Sequence, residues 1–337
     1  RVISDLVDPA TDSSQPLDSK TALAIYRQAV VDEHPRVRLE AIRGLGKIKT
    51  AEAASMALTS LELPRDRFLD FALATTMDEL ADVFMVALNQ GQWKPDSPAR
   101  ERQLEFVLTN IDSGRAASYL SKRLAKESIP ADGSGPWIEL IAQAGGKIEL
   151  TKLFEQIMNN DFAGNVQVRA IDSLATAQRV RKLKPAGDLN RIRTFLTEKN
   201  SNIQTAAVRL IGAWKLNACV AQLADLVESS ADSAVWNAAL QSLQEIGTPS
   251  TAALTRLTRT NNKEIQRQAI VQLAALNPQG AAKPFYQSLA GLQEEKDLVN
   301  FWRKVLVKKG TGKILAKHIP TTGITEAVAL AGLTAAR

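Results

Sequence analysis

The feature that most constrains this chain is a helical pattern that keeps returning. Within Pro35 to Ala53, PRVRLEAIRGLGKIKTAEA, the apolar residues Val37, Ala41, Leu45 and Ile48 fall at helical spacing, while Arg38, Glu40, Arg43 and Lys47 lie mostly off that stripe. A small residue in mid-stripe lets a neighbouring helix approach closely, and Thr50 is placed to cap a second helix. Aligned on Ala41, the pattern recurs as VQVRAIDSLA, IQTAAVRLIG, VWNAALQSLQ and IQRQAIVQLA, centred on Ala170, Ala207, Ala239 and Ala269. These alanines are separated by 37, 32 and 30 residues, and Ala41 stands 129 before the first, about four periods. A repeat of 30 to 40 residues built from two helices is the signature of a solenoid. No helix pair of this size buries its apolar face alone, so stacking supplies the core.

A short first helix, a turn rich in Asp, Asn or Pro, and a second helix beginning V-R-x-x-A resemble the HEAT family, over residues 20–50 and 150–290 above all. The resemblance implies an all-α, HEAT-like α-solenoid, a right-handed superhelix of antiparallel helix pairs, here of roughly sixteen to eighteen helices. The expected organisation is an extended lead-in at 1–18, an N-terminal helical block at 19–128, a loop or hinge at 129–137 (IPADGSGPW), and a C-terminal repeat array at 138–337. Within the first block, Arg65 to Phe84 reads as one long amphipathic helix with Phe68, Phe71, Leu73 and Leu80 on its apolar side. Asn277 to Gly280 reads as a helix stop, and a last helix is expected at Ile324 to Ala336.

A chain of 337 residues usually implies two or more domains, but a repeat array grows along one axis and escapes that estimate. Aromatic residues make up only 5%, which suits thin layers of small helices. No window holds 18 consecutive apolar residues, so no membrane span is expected. The chain starts at Arg1 with no visible signal peptide and reads as a processed chain or a piece of something longer.

A narrower resemblance lies in DEHPRVRLEAIRGL, TAEAASMAL and LPRDRFLDFALATTMDEL, with FWRKVLVKKGTGKILAKHI at Phe301 to Ile319. These segments look like the helical part of large multidomain proteins of planctomycetes and related bacteria, where it follows a sugar-dehydrogenase-like propeller and precedes a c-type haem domain. That resemblance implies an exported, periplasmic parent in which these residues act as spacer or docking module. Haem attachment needs C-x-x-C-H, and Cys219 is the single cysteine, so the haem chemistry does not reside here.

Residues with chemical potential read as structural. Cys219 shares a helix side with Leu216, Val220 and Leu223 and reads as packing. His34 and His318 have no second ligand at helical spacing, so no metal site is expected, and no cofactor. KKGTGK at Lys308 to Lys313 lacks the strand and the G-K-[ST] ending of a phosphate loop and reads as a helix C-terminus stopped by Gly310. Asp66, Asp70, Asp78 and Glu79 carry no mark of a perturbed pair. Trp93, Trp137, Trp214, Trp236 and Trp302 read as packing residues before base-stacking ones.

Charge is the one uneven feature. Arg169 to Lys215 holds ten Lys or Arg against three acids, and Phe301 to Arg337 seven against one, so the rest of the chain is net −7 under a total of +6. Arg179, Arg181, Lys182, Lys184, Arg191 and Arg193 form the densest part of a speculative binding surface. The sequence therefore reads as a non-catalytic scaffold that holds protein partners or neighbouring domains, with no catalytic residue assigned. The alternatives are nucleic-acid binding through the basic turns and, further off, a HEAT-like lyase or DNA glycosylase.

Overall fold

The computed structural model describes residues 19–320 and 324–336. The expected lead-in at 1–18 lies outside them, as do Thr321, Thr322 and Gly323. Nineteen α-helices, a few short 3-10 turns and no strand occur among the described residues. That is slightly more than the sequence reading anticipates, because helices as short as Thr311–Ala316 and Thr251–Leu257 occur. The described residues fall into two compact units, divided between Leu153 and Phe154.

In the first unit, Ser19–Ala29, Ala51–Leu58, Ala81–Asn89 and Ser113–Lys126 alternate with Pro35–Ile48, Arg67–Glu79, Pro98–Asn110 and Trp137–Ala144. Pro35–Ile48 packs on Arg67–Glu79 and that on Pro98–Asn110, while Ala51–Leu58 packs on Ala81–Asn89 and that on Ser113–Lys126. In both of these series a helix lies against the next but one, which makes two layers. The second unit repeats the device. Gly164–Thr176, Ser201–Trp214, Ser233–Ile246, Lys263–Leu276 and Glu295–Leu306 form one layer. The 3-10 helix Leu189–Thr197 with Val220–Ser229 and Thr251–Leu257, then Pro278–Leu289 with Thr311–Ala316, make the other. All-α packing of the solenoid type is therefore observed.

The turn chemistry explains where helices begin. Seven residues before the repeat alanines stand His34, Asn200, Asp232 and Asn262, and each accepts a hydrogen bond from a backbone N–H at the opening of its helix. Ala163, at the same place before Ala170, makes no such bond. Asp66 and Ser97 do, and they stand seven residues before Leu73 and Leu104. Leu73 and Leu104 therefore occupy the repeat position where the sequence pattern is weak. The core also coincides with the predicted stripe, since Ala41, Ala170, Ala207, Ala239 and Ala269 are all buried.

Four expectations are corrected. Arg38 is buried, and Val37 is exposed. The guanidinium donates to the carbonyls of Asp32, Glu33 and Pro64 at 2.7, 3.0 and 2.6 Å, so it fastens the turn instead of facing water. The long helix expected at Arg65 to Phe84 breaks at Leu80 into Arg67–Glu79 and Ala81–Asn89. Its buried stripe is Leu69, Ala72, Leu73, Thr76 and Met77, which leaves Phe68 and Phe71 exposed, with the Arg67 guanidinium 4.7 Å over the Phe68 ring. The stop expected at Asn277 to Gly280 does end Lys263–Leu276, but it is one residue long, because Asn277 also caps Pro278–Leu289, accepting from Gly280 N at 3.0 Å. The helix before KKGTGK ends at Leu306, and Gly310, at φ +93, precedes Thr311–Ala316 instead of closing the earlier helix.

Candidate functional site

The six basic residues are built on one short irregular stretch of the second unit. Gly164–Thr176 runs into a π-helical turn, Ala177–Arg181, which carries Arg179 and Arg181 and ends on Lys182 in the left-handed region. Lys184 follows in the break, and Leu189–Thr197 carries Arg191 and Arg193.

Most of these cations are engaged within the chain. Arg179 contacts both carboxylate oxygens of Glu245, at 3.1 and 3.2 Å, across 66 residues of sequence. Arg191 contacts both oxygens of Glu155 at 2.8 and 2.9 Å and lies 5.9 Å from the Phe154 ring centroid. Lys182 donates its Nζ to the Arg179 carbonyl at 2.8 Å. Lys184 donates to the Trp214 carbonyl at 2.6 Å, where burial and then the nearby Lys215 hold its ammonium below the ordinary lysine range. Arg193 stands exposed. Asp172, on Gly164–Thr176, is half-buried, and burial pushes its carboxyl up against the opposing pull of Arg209 and Arg179.

The carboxylates weighed for acid/base work each have a local duty. Asp66 caps its helix, Asp70 pairs with Arg65, Asp78 with Arg115, and Glu79 with Lys49. Cys219 is buried, and that burial raises its thiol. Among the described residues no three His, Cys, Asp or Glu side chains are grouped to hold a metal ion. Trp93, Trp137, Trp214 and Trp236 are buried; Trp214 packs edge-on against Phe154 with centroids 5.4 Å apart.

Helical spacing does not reveal the apolar side chains of the exterior. Phe71 is 75% exposed, Val180 73% and Val307 84%. Phe71 sits on the repeat helix centred on Leu73, whose capping residue Asp66 was the available signal. Among the described residues no helix is long and apolar enough to cross a membrane.

Residues 189–275 match the family described as HEAT repeats. No curated protein matches the chain. The karyopherin Kap121p bound to the SUMO protease Ulp1p is similar at 16% identity and a TM-score of 0.51, over 95% of this chain and 39% of that one. Kap121p bound to Pho4p is likewise similar at 16% identity and a TM-score of 0.51, over 95% of this chain and 40% of that one. The chain thus spans about two-fifths of the length of these structures. At such identity the likeness establishes the fold.

Proposed function

We propose that the chain is a non-catalytic interaction scaffold that presents helix surfaces to protein partners. The observation that carries this reading is the division of labour among its side chains. Polar groups inside the repeats are engaged in joining one helix to the next, whereas large apolar side chains such as Phe71 and Val307 stand on the exterior. The HEAT-repeat match supports it, and the similar solenoid in the solved structures is itself bound to proteins, Ulp1p and Pho4p.

A finer reading follows from the resemblance to multidomain proteins: the scaffold spaces redox or sugar-processing domains of an exported parent. Co-purification of the chain with separately expressed neighbouring domains of that parent tests it. Stoichiometric retention supports the reading, and passage of every such domain through immobilised protein removes it. The second reading, nucleic-acid binding, is favoured by one observation, the concentration of cations between Arg169 and Lys215. Retention on a random duplex that falls with salt supports it, and no retention at low salt ends it.

A further inference from the structure

In the second unit a groove of about 620 Å³ opens between Ser233–Ile246, Lys263–Leu276 and the end of Glu295–Leu306. Val271, Ala275, Leu276 and Val305 provide its apolar wall. Gln244, Gln268 and Gln272 stand among them, and Lys304 and Lys308 supply the charge. No carboxylate is among its described lining residues. Val307, 84% exposed, lies beside the two lysines. The Lys308 Nζ donates to the Ala275 carbonyl, which holds that cation at the edge of the groove, while Lys304 is exposed. A neighbouring hollow of about 330 Å³ shares Gln268, Val271 and Lys304, and only there do Glu264 and Asp297 appear.

Three features select the occupant. The lining holds no aromatic side chain on which a base could stack, and two lysines are few for a phosphate backbone. Glutamine amides both donate and accept, which matches the unpaired N–H and C=O groups of an extended main chain. Packed helices lie roughly 8–10 Å apart and an extended chain advances about 3.3 Å per residue, so about three residues carry such a segment from one helix to the next, while its successive side chains point to opposite sides, one set to the apolar wall and the other to the rim. Aliphatic side chains fit the apolar wall, and carboxylates complement an exclusively cationic rim. We infer that this groove binds an extended polypeptide segment that alternates aliphatic and acidic side chains. The inference rests on the scaffold reading and names the partner chemistry of one of its surfaces.

Fluorescence anisotropy on the whole chain tests it, with a labelled dodecapeptide alternating leucine and aspartate and a control alternating leucine and lysine. The acidic peptide should bind saturably, at least about tenfold more tightly than the basic one, and more weakly as salt rises. Lys304→Glu, which leaves only Lys308 against the new carboxylate, should erase that preference, and Val307→Asp should weaken the acidic peptide by about tenfold or more. Both side chains are exposed, so the thermal midpoint should stay within a degree or so of the parent. Equal binding of the two peptides, unchanged binding in both variants, or displacement of the acidic peptide by an equimolar random duplex overturns the inference. A protein partner that is retained equally by Val307→Asp removes the groove while leaving the scaffold reading intact. Failure of every parent domain to bind removes only the domain-spacing reading, whereas position 307 crosslinking to nucleic acid and to no polypeptide would remove the scaffold reading itself.

Discussion

Gln266 donates its Nε2 to the Thr258 carbonyl at 2.8 Å, fastening the start of one repeat helix to the end of the helix before it. Gln266 lies three residues before Ala269, and the same offset from Ala207 and Ala170 gives Gln204 and Gln167. These donate to the carbonyls of Leu196 at 2.6 Å and Ile157 at 2.9 Å. Arg38 occupies that offset before Ala41 and serves three carbonyls. Removing the side chain leaves the carbonyl partner at a helix end without its donor. Gln266→Ala should cost about 1 kcal/mol, and Gln167→Ala, whose side chain is buried, about 2–3 kcal/mol, read from urea midpoints. Arg38→Ala should cost at least as much as Gln167→Ala.

Helix contact at two equivalent glycines predicts opposite outcomes. Gly212 and Gly46 each lie five residues past a repeat alanine, beside Ser242 and Thr76. Ser242 donates to the Val208 carbonyl at 2.8 Å and Thr76 to the Ile42 carbonyl at 3.2 Å, and each pair is 34 residues apart. A Cβ on Gly212 would meet the Ser242 Cα at 2.8 Å, a backbone atom that cannot step aside. Gly212→Ala should therefore destabilise by about 1–3 kcal/mol. A Cβ on Gly46 would meet the end of Glu79 at 3.1 Å and the Thr76 methyl at 3.4 Å. There the helix preference for alanine, about 1 kcal/mol, offsets the crowding, and Gly46→Ala should be neutral or mildly stabilising. Thermal melts of both variants decide the matter.

Asp172 supplies a pH-dependent test. Burial raises its folded-state pKa, so the folded chain favours the protonated form and stability from this group falls as pH rises through that value. Asp172→Asn should raise the melting temperature at neutral pH, and the gain should vanish as pH drops below the ordinary carboxylate range. Arg209 and Arg179 oppose the effect by favouring the anion. A gain that persists unchanged into acid would assign the stabilisation to something other than the charge.

Ion pairing within the basic stretch sets the strength of the nucleic-acid reading. Arg179 and Arg191 are paired with Glu245 and Glu155, so Glu245→Gln and Glu155→Gln should each release a cation and raise retention on a random duplex at low salt. Their effect on stability should be small, about 0–1 kcal/mol, because both pairs are partly exposed. Retention that is strong in the parent and indifferent to both substitutions would put the binding surface elsewhere.

The repeat was legible in the sequence wherever a small residue marks the close approach of two helices, as at Ala41, Ala207, Ala239 and Ala269. It was hidden at Leu73 and Leu104 because a larger side chain fills the same place, although Asp66 and Ser97 kept the capping signal. Arg38 was misplaced because burial of a charged side chain depends on carbonyls in the flanking turns, which helical spacing does not display. The groove was out of reach for a related reason. Gln244, Gln268 and Lys304 come from three helices, and a stripe analysis treats each helix alone.

The central claim, that this chain acts by presenting its exterior to other polypeptides, is tested most directly by placing a photo-crosslinking amino acid at Val307 in the organism that makes the protein, with Ile148, 75% exposed, as the control position. The account predicts an adduct from position 307 that protease digests and nuclease does not, carrying a peptide rich in aliphatic and acidic residues. A nuclease-sensitive adduct, or equal yields of the same adduct from both positions, would contradict it.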